Sequence, residues 1–269
     1  MKKFFYVLMA AATLAAVSCE KTPNGENNEE NGGTTETRKQ LVHLTSYITE
    51  EGELTGGRKF YYTEDGKISK VAEVWTNEDG SEGSYDLNVT WEGNKATFDD
   101  GEGTGFIFTI GENGYAIQKD ELKDGEVSST YTYEYDAEGH LTKVNELYEG
   151  QTYAKSVCTW ENGNLTSWSD VGAAEDGSGN DRVKRQTYTQ LLNTCGIHTS
   201  YTEKSSLKRW MFEIGLFGKA SVNLVAMDKW DDREGGKTFE YRFDEDDYVI
   251  TETPYWEGEA EKPMYFGWK

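Results

Sequence analysis

Tyr131-Thr132-Tyr133-Glu134-Tyr135-Asp136-Ala137-Glu138-Gly139-His140-Leu141-Thr142-Lys143-Val144 is the unit on which the chain is built. Tyr131, Tyr133 and Tyr135 alternate with Thr132 and Glu134, so the three tyrosines share one side of a strand. Asp136 to Gly139 is a polar tight turn, and extended chain resumes at His140. Phe60 to Val71 repeats the unit, with Gly66 in the place of Gly139, and Phe239, Tyr241 and Phe243 restart it before Asp244-Glu245-Asp246-Asp247. A second hairpin signal, Trp91-Glu92-Gly93-Asn94, returns as Trp160-Glu161-Asn162-Gly163-Asn164. Gly139 follows Gly66 by 73 residues (139 − 66), and Trp160 follows Trp91 by 69 (160 − 91), so a pair of hairpins is used twice. Further alternating runs, Tyr85 to Trp91 and Phe106 to Ile110, and a final strand through Met264, Phe266 and Trp268, make the chain all-β and antiparallel.

Ser169 to Arg233 breaks the rhythm. Ala173 to Asp181 is a polar, Gly-rich loop, and Asp181 to Asn193 reads as a helix capped by Asp181 and ended at Gly196. Trp210 to Lys219 is apolar but interrupted by glycine, which suits a segment packed over an open end of the sheet or into its concavity.

The first residues read as an address. Lys2 and Lys3 precede the apolar run Phe4 to Val17, which is too short for a confident spanning helix. Leu14-Ala15-Ala16-Val17-Ser18-Cys19 resembles a bacterial lipobox, with Ala16 where Leu is preferred; the resemblance implies acylation of Cys19. Residues 20–39 lack Leu, Ile, Val and aromatic side chains and read as a flexible tether. The expected organisation is a lipoprotein signal over 1–18, a tether over 19–39 and one domain over 40–269. Loss of Lys2 and Lys3 takes the formal charge from −22 to −24. Such a surface repels phosphate backbones and anionic headgroups, which argues against nucleic-acid partners and against membrane contact other than through the lipid.

The Tyr-x-Tyr-Asp-x-x-Gly-x-Leu pattern is similar to the hairpin of YD-repeat proteins. With the lipobox, the tether, the Leu216 to Leu224 segment and the Phe239 to Val249 hairpin, the chain resembles uncharacterised Bacteroidales lipoproteins whose domain of unknown function is described as porin-like. The resemblance implies a meander that curls into a barrel or half-barrel and an outer-membrane lipoprotein on the periplasmic or cell-surface face. It carries no activity and no catalytic residues. Asp247 departs from the pattern where a turn glycine is expected, so the last repeat is expected to turn differently. Because Asp, Glu, Lys, Thr and Asn oppose the aromatic face, that face is the buried one, and the domain is expected to stand in water rather than in lipid.

Chemistry is less legible. Cys158 and Cys195 leave a buried thiol pair or a disulfide open. His43, His140 and His198 have no ligand spacing, and His140 reads as turn decoration. Asp99, Asp100 and Glu102, and Asp244 to Asp247, offer weak calcium ligands without EF-hand spacing. No phosphate loop, serine elbow or zinc motif occurs, so no catalytic and no metal residue is assigned. Seventeen Tyr and eight Trp are the remaining lead, because aromatics beside carboxylates stack and hydrogen-bond sugars or peptides. Trp210, Phe212 and Phe217 are the first candidates for ligand contact, followed by Trp256 and Trp268. The expected activity is non-enzymatic binding or assembly, with a glycan, peptide or envelope partner; the alternative is a polysaccharide hydrolase using two unidentified carboxylates.

Overall fold

A computed structural model describes residues 39–49, 51–77, 79–172, 179–199 and 207–269. The signal segment, Cys19 and the tether up to residue 38 lie outside them, as do residues 173–178 of the Gly-rich loop. In chain order the strands are β1 (Leu41–Thr45), β2 (Tyr47–Ile48), β3 (Leu54–Thr55), β4 (Gly57–Tyr62), β5 (Ile68–Thr76), β6 (Glu82–Glu92) and β7 (Lys95–Asp99). β8 (Gly105–Ile110), β9 (Ala116–Lys123), β10 (Glu126–Tyr135), β11 (Leu141–Tyr148), β12 (Gln151–Glu161), β13 (Asn164–Asp170) and β14 (Arg182–Leu192) follow. After the helix α1 (Arg209–Glu213) come β15 (Asn223–Trp230), β16 (Lys237–Phe243), β17 (Val249–Trp256), β18 (Glu259–Ala260) and β19 (Met264–Trp268).

Successive strands pair antiparallel, and β1 joins β19 on one side to β4 on the other, which closes a barrel of 16 strands. Closure satisfies the backbone groups that an open sheet leaves at its edges. The outward face carries ion pairs such as Lys70–Asp86 (3.1 Å) and Arg185–Asp231 (2.9 Å), with exposed apolar residues such as Ile117 and Val157 scattered among them.

The opening unit is a bulged hairpin used three times. Register slips by one residue just before the turn in β4–β5 (Tyr62↔Ile68), β10–β11 (Tyr135↔Leu141) and β16–β17 (Phe243↔Val249). In each copy the carbonyl of the first residue after the turn accepts an indole N–H. Trp91 donates to Ile68 (2.9 Å), Trp160 to Leu141 (2.8 Å) and Trp268 to Val249 (2.8 Å). The last turn residue then covers the ring: Lys67 lies over Trp91, His140 stacks on Trp160 at 4.4 Å, and Tyr248 meets Trp268 edge-on at 5.1 Å. His140 is therefore more than turn decoration; it is buried, and its Nδ1 lies 3.0 Å from Asp136. Asp247 adopts φ 61° where Gly66 and Gly139 have 81° and 91°, and Asp244 N–H still bonds Tyr248 O. The last repeat thus makes the same turn, with Asp tolerating the left-handed conformation.

Sixteen strands enclose more space than their own side chains fill. Residues 207–219, between β14 and β15, fill it. Trp210, Met211, Phe212, Leu216 and Phe217 are buried, and Phe217 packs on Tyr133 (4.6 Å), Phe212 (5.0 Å) and Phe108 (6.0 Å). Backbone bonds seat this plug against the hairpin turns: Ala116 N–H to Leu216 O (2.8 Å), Lys219 N–H to Gly139 O (3.0 Å) and Val222 N–H to Gly163 O (3.0 Å). Gly218, at φ 82°, is required there, since a Cβ would stand 2.7 Å from Gly139 O. Tyr131 and Tyr133 point inward and are buried, and Tyr135 donates its hydroxyl to Ala116 O at 2.7 Å.

One expectation fails. The stretch 181–193 carries strand β14 (Arg182–Leu192), not a helix, and the helix is the single turn Arg209–Glu213 in the plug. Val183, Thr187, Tyr188 and Thr189 favour extended chain, and β13 and β15 supply ladder partners on both sides. Asp181 accepts from Gly172 N–H (2.9 Å) instead of capping, and Gly196 closes a turn to Asn193 O.

Candidate functional site

The plug is held against the turns at Gly139 and Gly163, and at the opposite end of the barrel the lumen changes character. Strand alternation on β14 to β17 places charged and aromatic side chains inward. Lys184 stands opposite Trp230, Asp228 opposite Gln186 and Lys237, Lys237 opposite Trp256, and Glu252 opposite Tyr241. These strands, with Arg233 and Gly235 from the β15–β16 turn and Arg209 from α1, surround a cavity of about 320 Å³. The Trp230 ring is overlaid by Arg182 (4.4 Å) and Lys184 (4.9 Å). Trp256 is half-buried, touches the cavity and has no ring or cation stacked on it among the described residues.

Arg209 forms the floor. It donates through both terminal nitrogens to Glu252 (2.8 and 3.0 Å) and through Nε to Glu213 (3.0 Å). The carboxylates are almost fully buried, at 4% and 1% side-chain exposure, so their charges are intelligible only through Arg209. Thr199 donates its hydroxyl to Glu252 (2.7 Å), and His198 N–H donates to Glu213 (3.1 Å). A second cavity, about 240 Å³, lies on the other side of Arg209 and is bounded by Arg58, Glu73, Tyr47, Lys262 and Met264. Arg58 pairs with Glu73 at 2.9 Å, and the Lys262 ammonium sits 3.3 Å from the Tyr47 ring centre.

One guanidinium faces two carboxylates here, so the group is electrically balanced only when one of them holds a proton. Burial pushes Glu213 up to about 7 against the opposing pull of Arg209. Burial also disfavours the charge of Arg209, but Glu252 and Glu213 outweigh it and raise its pKa. Lys184 is lowered and its partner Asp228, at 3.5 Å, is raised, in both cases chiefly by burial. Because the folded pKa of Glu213 exceeds its ordinary value, its contribution to stability is complete below about pH 4.5 and is lost as pH rises through about 7. Asp228 acts in the same direction. Thermal unfolding is therefore expected to show stability falling between pH 5 and 8, by on the order of 3 kcal/mol. Glu213→Gln should flatten that profile; a wild-type profile that is already flat would contradict the assignment.

The structure separates the five aromatic candidates. Trp210, Phe212 and Phe217 are core residues of the plug, Trp268 locks the third bulged hairpin, and Trp256 lines the cavity. Cys158 and Cys195 are free thiols, both buried, and burial raises both pKa values. His43 contacts Gly56 O (2.6 Å) and His198 packs on Phe212 (5.0 Å). The acidic turns use their carboxylates on backbone: Asp100 accepts from Glu102 and Thr104 N–H, and Asp244 from Asp246 and Tyr248 N–H. Asp136, Glu138 and His140 bring three ligand atoms within 4.8 Å, but Asp136 already holds the His140 backbone N–H and contacts its ring. Sequence reasoning missed Lys184, Arg209, Asp228, Trp230, Lys237 and Glu252; for the four charged residues on strands, Lys184, Asp228, Lys237 and Glu252, a polar strand does not declare which face each occupies.

In fold the chain is similar to a porin-like protein from Bacteroides uniformis, with a TM-score of 0.62 and 16% identity over 79% of this chain and 89% of that one. A porin-like protein from Bacteroides vulgatus gives 0.53 and 15% identity, covering 86% and 99%. No curated protein matches the sequence. A family profile matches residues 60–251, well over half of the chain, and the protein therefore belongs to the domain of unknown function DUF4595, a family with a porin-like fold.

Proposed function

We propose that the protein is a cell-envelope lipoprotein, tethered to the outer membrane through Cys19, whose barrel binds a ligand at its open end without turning it over. The observation that carries the binding reading is the cavity over Arg209, where Trp256 sits among fixed charges. Such a mixture of a rigid aromatic platform and convergent polar groups is the usual composition of a ligand site. Both oxygens of Glu252 are held by Arg209, with Thr199 adding a third bond, which leaves this carboxylate poorly placed as a free acid or base. The charged outward face supports a barrel that stands in water. A glycan is the first ligand class, with a peptide or an envelope protein as the other expected partners.

Screening residues 39–269 on glycan and peptide arrays, with product analysis of each hit, tests this reading. Retention of a glycan that comes back intact, and its loss in Trp256→Ala, is the expected result; cleavage products would replace binding by a hydrolase. For the tether, Cys19→Ala is expected to move the protein from the membrane fraction to the soluble one.

A further inference from the structure

We infer that the cavity recognises an anionic sugar, a carboxylate-bearing pyranose of the uronic-acid class. This deepens the binding reading above and rests on it. Across the whole chain, 49 acidic residues outnumber 27 basic ones. Among the residues lining the two cavities that touch Arg209, basic residues outnumber acidic ones seven to three, and Glu213 and Glu261 add two carboxylates bonded to Arg209 and Lys237. A local excess of basic residues in so acidic a protein concentrates positive potential where an anion would enter.

The pairing pattern indicates which charges remain for a ligand. Lys184 is engaged by Asp228, Arg209 by Glu252 and Glu213, and Lys237 by Glu261 at 2.6 Å. Arg233, at the rim, has no carboxylate within ion-pair distance among the described residues. The neighbouring acids of its turn are occupied elsewhere: Asp231 pairs with Arg185 and Asp232 with Arg182, both at 2.9 Å. Glu234 belongs to the same turn but does not line the cavity. A guanidinium without a direct ion pair, acting on Asp232 only through space, therefore stands at the mouth, and its planar fork suits a carboxylate.

The aromatic side of the cavity selects a ring. Trp256 lines the cavity beside Gly235 with no ring or cation stacked on it among the described residues, which leaves it as the platform for the C–H face of a pyranose, while Trp230 is already overlaid by cations. At about 320 Å³ the space is at the small end for a ligand pocket and holds one or two sugar units rather than a folded partner. An extended acidic peptide is disfavoured for a separate reason. Such peptides commonly gain affinity by adding to a free strand, and the closed ring offers no full-length edge beside the cavity.

The test uses the full chain and titrates oligosaccharides of galacturonic, glucuronic and mannuronic acid, each beside its methyl ester. The ester keeps the ring and removes the charge. The acid form of at least one is expected to bind about tenfold or more tightly than its ester, with affinity falling as salt is raised. Arg233→Gln should bring the acid down to the level of the ester, whereas Trp256→Ala should weaken both. Equal affinity for acid and ester would overturn the anion assignment while leaving glycan binding intact. Absence of binding by every acid would also overturn it, and neutral glycans retained on the array would then keep the broader reading alive. An acidic peptide bound more tightly than any acid sugar would likewise overturn it.

Discussion

Arg209→Ala is expected to be among the most damaging single substitutions in the described domain. It leaves Glu252 and Glu213 buried at 4% and 1% side-chain exposure without their cation. Breaking a buried ion pair from one side costs about 3–5 kcal/mol, because the remaining charge stays desolvated. For a domain of this size that corresponds to a fall in Tm of roughly 6–20 °C. The loss should be largest at high pH, where Glu213 can no longer take a proton to relieve it. Combining Arg209→Met with Glu213→Gln and Glu252→Gln should recover much of the stability, since the stranded charges are gone. If Arg209→Ala alone loses less than about 1 kcal/mol by denaturant titration, the clamp is not what secures the plug.

Phe217→Ala is the second large effect. Its ring meets Tyr133, Phe212 and Phe108, so one truncation opens a void shared by the plug and two walls of the barrel. Phe→Ala in such a core costs about 3–5 kcal/mol, part lost transfer energy and part cavity. Phe217→Leu should cost clearly less. The informative readout is binding measured alongside stability. Phe217 lies in the same segment as Arg209, so loosening it should also weaken ligand affinity in a protein that is still folded. An alanine variant of near wild-type stability would mean that the plug packs against the wall without supporting it.

The two effects mark how far the sequence could be read. The hairpin unit, its inward tyrosines and the apolar plug all follow from alternation and turn chemistry, which are local. Ring closure is not local, because nothing within β1 announces that its partners are β4 and β19. The error at residues 181–193 has the same root. Asp181 and Gly196 offer a cap and a stop for a helix, yet the ladders to β13 and β15 decide the conformation and leave Leu191 and Leu192 exposed. The site was legible only through Trp256. Its strand-borne charges, Lys184, Asp228 and Glu252, sit on strands that carry polar residues on both faces, and only the folded register places them inside. Trp268 follows its acceptor residue by 19 positions, as Trp160 does (268 − 249 and 160 − 141), whereas Trp91 follows its own by 23 (91 − 68), so the spacing alone does not identify the lock.

The pairing of β1 with β19 also constrains the order of assembly. Gln40 and Lys269 exchange backbone bonds at 2.8 and 3.0 Å, so the ring can shut only after the final strand has been synthesised. Until then a growing chain carries two unpaired sheet edges, the condition most prone to intermolecular association. The plug emerges from the ribosome with only β15, β16, β17 and β19 of the ring still to come, early enough to be enclosed rather than threaded. Chaperone dependence during folding should therefore be governed by this last seam.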